Sequence, residues 1–312
     1  MSDKPDLLLL FAAGPAFEAR LGARFAVHRG YGEEAEAAWR EAGPRVRAAV
    51  GSGARGLSGA EIARLPALQV VALFGVGLDT MDVEAARARG VAVTDAPVLT
   101  DDVADLAIAL WLVASRRLAE GDRFVREGRW PAGRFPLARR ASGKRAGVFG
   151  LGRIGRAVAR RLEGFGMEVA YTGRRPHPDT PHRFEPDLRA LAAWSDALFL
   201  AAPGGPETDG AVDAAVLEAL GPDGVLVNVA RGSLVDEPAL AAALEAGRLG
   251  AAGLDVFADE PGVSAAIRAA PRCILSPHAG SATAESRAAM ADAVLANLHA
   301  WLDGVEPPNR VT

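Results

Sequence analysis

The chain has 312 residues, half of them apolar, with one cysteine, 35 Lys and Arg against 39 Asp and Glu, and a net charge of −4. That length suits two cores rather than one, and a lone Cys273 excludes an internal disulfide, so a reducing compartment such as the cytoplasm is expected. Basic runs are only pairs such as Arg139-Arg140 and Arg174-Arg175, and no apolar run approaches the roughly 20 residues that span a bilayer, so neither nucleic acid nor membrane is expected as a partner.

Leu7 to Phe11 is an unbroken apolar run of strand length, which suits a parallel sheet covered by helices on both faces. Short apolar segments at 25–29, 46–50, 69–73 and 91–94 then alternate with helical patterns at 33–41, 59–64 and 83–89. That alternation predicts an α/β doubly wound domain. Asp95-Ala96-Pro97 ends it. Thr100 reads as an N-cap, with Asp101 and Asp102 in the first turn of a long helix through Val113 that links two domains. Gly128 to Lys144 has no period; its Gly, Pro, Arg and aromatic content reads as a surface excursion suited to an arm on a partner subunit.

From Ala146 the alternation resumes. Strands are expected at 146–149, 167–172, 197–201, 225–229, 251–254 and 273–275, a six-stranded Rossmann count, and Ser281 to Trp301 predicts a final long helix returning to the first domain. The expected architecture is two doubly wound parallel-sheet domains. A Rossmann dinucleotide-binding domain, residues 99–281, is inserted into a flavodoxin-like substrate domain, residues 1–98 and 282–312, with a cleft between them.

Val148-Phe149 leads into Gly150-Leu151-Gly152-Arg153-Ile154-Gly155, a strand running into a glycine turn that opens an alanine-rich helix. Gly150 permits the tight turn, Gly152 lets the backbone approach a pyrophosphate, and Gly155 lets helix and strand pack closely. The pyrophosphate then meets N–H groups at the positive end of the helix. The motif alone is weak, and the end of the second strand decides more. An NAD site places an Asp or Glu there for the ribose hydroxyls; this chain has Gly173-Arg174-Arg175, two guanidinium forks suited to a 2′-phosphate. NADPH is therefore expected in preference to NADH, with ordinary solvated arginines as the alternative.

Three further segments follow strands of the second domain: Asn228-Val229-Ala230-Arg231-Gly232, Asp255-Val256-Phe257-Ala258-Asp259-Glu260-Pro261 and Ser276-Pro277-His278-Ala279-Gly280-Ser281. Carboxyl ends of such strands bind ligands. Arginine there can hold a carboxylate through two parallel hydrogen bonds and polarise a carbonyl; histidine can move a proton, and a neighbouring glutamate would orient it and favour its protonated form. Singly, each has an ordinary role open to it: a strand-capping arginine, a surface acid, a core histidine. No close His/Cys cluster suggests zinc, and no Gly-x-Ser-x-Gly elbow is present.

In order and spacing these motifs make the chain similar to the D-2-hydroxyacid dehydrogenase family over nearly its whole length. The resemblance implies that Arg231, Glu260 and His278 are the catalytic trio, and that Phe74-Gly75-Val76-Gly77-Leu78-Asp79 is a substrate loop whose Val76 and Gly77 N–H groups hold a carboxylate. It implies cofactor contacts from the glycine loop (Gly150, Gly152, Arg153, Ile154, Gly155), from Gly173, Arg174 and Arg175, and from Ala202, Pro203, Thr208, Val229, Ala230, Asp255, His278 and Gly280. Substrate contacts are implied at Ser52, Gly53, Phe74, Arg231 and His278. Within the family, the stretch 99–107 and the turn 172–175 resemble the glyoxylate/hydroxypyruvate reductases, including the plant hydroxyphenylpyruvate reductases, which prefer NADPH. Formate dehydrogenases pair the histidine with Gln, and Glu260 argues against that branch.

The expectation is a homodimeric reductase of a small 2-oxo acid, glyoxylate or hydroxypyruvate, to glycolate or D-glycerate, with His278 as proton donor. Domain closure would exclude water. Two rivals stand beside it: an NAD-dependent dehydrogenase of another substrate, of the D-lactate or aryl-pyruvate type, and a cofactor-sensing scaffold like the corepressors that share the fold.

Overall fold

Short apolar runs build five parallel strands at the start of the chain: β1 Asp6–Leu9, β2 Ala26–Arg29, β3 Val46–Ser52, β4 Val70–Phe74 and β5 Ala92–Thr94. Their order, β2-β1-β3-β4-β5, is that of a flavodoxin-like sheet. Leu7 to Leu9 and Val70 to Leu73 are fully buried, because helices cover both faces, and so these strands read as runs rather than as alternations. The helices are α1 Pro15–Gly22, α2 Ala35–Glu41, α3 Gly59–Ala63 and α4 Val83–Ala88. Helix α1 has no counterpart in the sequence reading; Ala-Gly-Pro ahead of it looks like a turn, yet Pro15 occupies the first helical position, where its missing N–H costs nothing.

The computed structural model describes residues 4–312. The chain divides into two units, the first running through Leu99 and resuming at Thr283–Thr312, the second comprising Thr100–Ala282. The second unit opens on α5 Thr100–Arg116 and α6 Leu118–Arg126. Thr100 lies within α5 rather than capping it, a difference of one residue at a helix end. An apolar stripe of α5, including Val103, Ala107, Leu110 and Trp111, is buried, and the helix packs on the sheet. Helix α6 buries no residue, and the segment after it has only one 3-10 turn, Trp130–Ala132; Trp130 and Leu137 are 66% and 97% exposed.

Seven parallel strands follow, alternating with helices: β6 Arg145–Phe149, α7 Arg153–Gly164, β7 Glu168–Thr172, β8 Arg183–Phe184, α8 Leu188–Trp194, β9 Ala197–Leu200, α9 Ala214–Leu220, β10 Val225–Asn228, α10 Glu237–Glu245, β11 Ala251–Leu254, α11 Ala265–Ala269 and β12 Cys273–Leu275. The order β12-β11-β10-β9-β6-β7-β8 is the Rossmann order with one further strand at its end. Strand β8 exceeds the six read from sequence: two residues pairing with β7 carry no periodicity to detect. The switch in strand order falls between β6 and β9, where crevices of such sheets bind ligands.

The last helix, α12 Ala284–Leu302, belongs to the first unit and packs on β4. It starts three residues after the expected Ser281, because the Thr283 side chain accepts from the Ser286 N–H at 3.0 Å and fixes the N-cap there. Asn297, fully buried on α12, donates to the Asp95 carbonyl at 3.0 Å and accepts from the Asn309 N–H at 3.1 Å. Among the described residues no helix is long and apolar enough to cross a membrane.

Candidate active site

Strand β6 delivers the glycine loop to the switch point. Gly150 has φ +95°, a conformation that side chains disfavour, and a Cβ on it would lie 2.6 Å from the Ala202 backbone. A Cβ on Gly155 would lie 2.0 Å from the Gly150 carbonyl oxygen. Packing therefore demands both. Gly152 differs: a Cβ there would meet nothing within 4 Å, and as N-cap of α7 it leaves the first-turn N–H groups without a side-chain cap. Open space over an uncapped helix start is what a pyrophosphate requires, so these residues fit a dinucleotide.

Strand β7 ends at Thr172, and Arg174 and Arg175 follow it on the surface, both exposed. Neither makes a hydrogen bond or ion pair among the described residues, and no acid occupies the turn. On the other side of the switch point Ala202 is buried, and Thr208 donates its hydroxyl to the Pro203 carbonyl at 2.8 Å, closing the loop after β9.

The three side chains expected to carry the chemistry, Arg231, Glu260 and His278, stand on loops after β10, β11 and β12, which are neighbours in a parallel sheet, so their carboxyl ends share one edge. Asn228, 1% exposed, turns the first loop: its Oδ1 accepts from the Ala230 N–H at 3.0 Å and its Nδ2 donates to the Arg231 carbonyl at 2.8 Å. Val229 and Ala230 are buried there, and the half-exposed Arg231 donates from Nη1 to the Ala230 carbonyl at 2.6 Å. A Cβ on Gly232 would fall 1.8 Å from the Phe257 carbonyl carbon, so this glycine lets the first loop lie against the second.

Glu260 accepts from the Phe257 N–H at 2.9 Å through one oxygen, and its other oxygen lies 2.7 Å from Nδ1 of His278. An ionised carboxylate only accepts, so a proton on Nδ1 completes this contact, and Nε2 is the ring nitrogen that the contact does not use. His278 sits at φ +51°, held by its own N–H donating to the Asp255 carbonyl at 2.8 Å. Asp255, 2% exposed, does more: its carboxylate accepts from the Ser276 hydroxyl at 2.5 Å, the Ala279 N–H at 2.7 Å and the Gly280 N–H at 2.8 Å. One buried carboxylate thereby fixes the whole histidine loop. Glu237 braces the acid loop in the same way, accepting from the Ala258 N–H at 2.7 Å.

Glu237 was not singled out from sequence, and Asn228 and Asp255 were noted without these roles. Apart from the Ser276 hydroxyl on Asp255, their partners are backbone N–H and C=O groups on turns, and a turn's hydrogen bonds leave no residue pattern; the one available signal is a polar residue at the end of an otherwise apolar strand.

In the first unit, Ser52 ends β3 and Phe74 ends β4, paired directly in register. Thr80 joins the two following loops, donating to the Gly53 carbonyl at 3.1 Å and accepting from the Gly56 N–H at 2.7 Å. A Cβ on Gly53 would lie 3.7 Å from Gly77. Ser52, Gly53, Phe74, Val76 and Gly77 thus gather at one sheet edge, and Gly75 at φ +134° turns the chain between them.

The family model described as D-isomer specific 2-hydroxyacid dehydrogenase, NAD binding domain, matches residues 108–280. A 2-ketogluconate reductase of Gluconobacter oxydans is 43% identical over 303 residues, 96% of either chain. A hydroxyphenylpyruvate reductase of Plectranthus scutellarioides is 47% identical over 260 residues, 83% of either chain. The solved structure of an NADPH-dependent glyoxylate/hydroxypyruvate reductase of Sinorhizobium meliloti, in complex with NADP and malonate, has TM-score 0.93 at 42% identity and covers 99% of this chain and 97% of its own.

Proposed function

The chain belongs to the D-isomer specific 2-hydroxyacid dehydrogenase family, and on that premise we propose that it reduces glyoxylate or hydroxypyruvate to glycolate or D-glycerate with NADPH. The contact between Glu260 and His278 at 2.7 Å carries this reading, since it leaves a histidine with one nitrogen anchored and the other able to give a proton. A bound nicotinamide nucleotide supplies the hydride for C2 of the substrate. His278 gives the proton from Nε2 to the forming alkoxide, and Arg231 holds the carboxylate and the carbonyl oxygen, so that charge developing on that oxygen meets a fixed donor. Glu260 positions the ring. In the first unit the N–H groups of Val76 and Gly77 take the substrate carboxylate.

The preference for NADPH rests on Arg174 and Arg175, two exposed guanidinium groups and no acid at the turn after β7. NADH would bind more weakly, without a 2′-phosphate for them. The full-length relative named for 2-ketogluconate favours a second reading of the same chemistry on a longer 2-oxo acid. A homodimer is proposed from the apolar surface of α6 and the segment after it, where Leu118, Val125, Trp130 and Leu137 are each more than half exposed. A single thiol and the absence of any disulfide partner fit the cytoplasm.

The test is oxidation of NADPH and of NADH with glyoxylate, hydroxypyruvate, 2-ketogluconate and 4-hydroxyphenylpyruvate in parallel. Faster turnover with NADPH and either of the first two is expected. No oxidation of either nucleotide with any of the four would overturn the reading.

A further inference from the structure

Tyr171 stands on β7, one residue before the strand ends at Thr172, with 1% of its surface exposed. Its ring packs against Phe184 on β8 and against His177, with centroids 5.3 and 5.8 Å away. A phenyl ring would fill that space equally well, whereas a buried hydroxyl costs free energy unless it is hydrogen-bonded. This one accepts from the His177 N–H at 2.7 Å, six positions along the chain. Arg174 and Arg175 lie on the span that the bond closes.

The span is anchored to the nucleotide loop at one end and stiffened at the other. The Gly150 N–H donates to the Thr172 carbonyl at 2.9 Å, which joins the glycine turn to the start of the span. Pro176 and Pro178 flank His177; each fixes its own φ and restricts the residue before it, so Arg175 and His177 favour extended backbone. Asp179 follows, and it pairs with Arg156 of α7 at 3.0 Å. Among the described residues, 173–178 make no backbone–backbone hydrogen bond, so the Tyr171 hydroxyl is what ties them to the sheet. Two exposed arginines lose conformational entropy when a ligand holds them, and a backbone fixed beforehand lowers that cost.

We propose that Tyr171 is a positioning residue for cofactor choice: its hydroxyl fixes the turn that presents Arg174 and Arg175 to the 2′-phosphate of NADPH, a role that rests on those arginines binding that phosphate. At 1% exposure the tyrosine offers no surface to a ligand, so it acts only through the turn. Tyr171→Phe keeps the ring and its packing and removes the acceptor. The N–H of the half-buried His177 then turns to water, and the turn loosens. NADH carries no 2′-phosphate for the arginines to meet, so its binding is indifferent to where they stand.

The test is calorimetric titration of NADP+ and of NAD+, without substrate, into four forms of the full chain: unaltered, Tyr171→Phe, Arg174→Ser with Arg175→Ser, and all three changes together. Tyr171→Phe raises the Kd of NADP+ about three- to tenfold, the loss expected for one hydrogen bond, and that of NAD+ less than about twofold. In the chain that already lacks both arginines the same change leaves the Kd of NADP+ within about twofold, because a residue that acts through the arginines has nothing left to position. Binding of NAD+ reports that each form is folded. Equal weakening of both nucleotides, no weakening of either, or the same loss with and without the arginines overturns the proposal alone. If removing the two arginines leaves NADP+ bound as tightly as before, the 2′-phosphate reading falls and this role falls with it.

Discussion

Oε2 of Glu260 lies 2.7 Å from Nδ1 of His278 while its Oε1 accepts from the Phe257 N–H, so the histidine ring is tied through a carboxylate to the backbone of its own acid loop. Glu260→Gln keeps one acceptor and loses the charge that holds the Nδ1 proton. In steady-state kinetics kcat is expected to fall about 10²-fold, and His278→Ala should cost about 10³-fold, with nucleotide affinity kept in both. An unchanged kcat in His278→Ala would remove it as proton donor.

The two kinds of glycine in the nucleotide loop separate stability from binding. Gly155→Ala drives a methyl to 2.0 Å from the Gly150 oxygen and should destabilise the chain by about 2–3 kcal/mol or more, lowering its melting temperature. Gly152→Ala meets nothing, at a φ of −78° that alanine accepts. It should melt as the unaltered chain does, yet bind nucleotide about tenfold more weakly, a loss of about 1.4 kcal/mol. Thermal unfolding and nucleotide titration of both variants decide this, and a cold-shifted Gly152→Ala would contradict it.

That contrast also marks what a sequence can disclose. The spacing of Gly150, Gly152 and Gly155 was legible as a motif, although backbone contact demands glycine only at 150 and 155, and the runs of β1, β3 and β4 were legible because both faces are buried. Arg231, Glu260 and His278 were legible as motifs after strands, but their mutual geometry was not: it depends on Asp255, Asn228 and Glu237, whose partners are mostly backbone groups, up to 25 residues away. Strand β8 and helix α1 escaped for the opposite reason, being too short or too rich in turn residues to carry a period.

Replacing Arg174 and Arg175 with serine removes two exposed cations that no described group pairs with. If they bind the 2′-phosphate, KM for NADPH should rise roughly 10- to 100-fold, as expected for one or two charge-assisted hydrogen bonds, with NADH changed less than about twofold. An equal effect on both nucleotides would assign these residues to the surface only.

Acid should loosen the first unit through Glu61. Burial opposes its charge, but hydrogen bonds from Arg55 and from the N–H and hydroxyl of Ser58 outweigh it and hold the carboxyl down to about 2, against an ordinary 4.5. A pKa depressed by folding stabilises fully above the unfolded value and is lost as pH falls from about 4.5 through about 2. Glu61→Gln should therefore cost on the order of 2 kcal/mol at pH 6 and progressively less below pH 4.5. Denaturant unfolding at pH 6 and pH 3 measures it, and a difference that does not shrink in acid would show that the carboxylate's charge is not what matters.

The most direct measurement follows the hydride itself. With NADPH deuterated at both C4 positions and glyoxylate as acceptor, the chain should yield glycolate carrying one deuterium at C2, seen by mass spectrometry, and His278→Ala should form the same labelled product at about a thousandth of the rate. Glycolate without deuterium, or no product while the nucleotide binds, would contradict hydride transfer at this site.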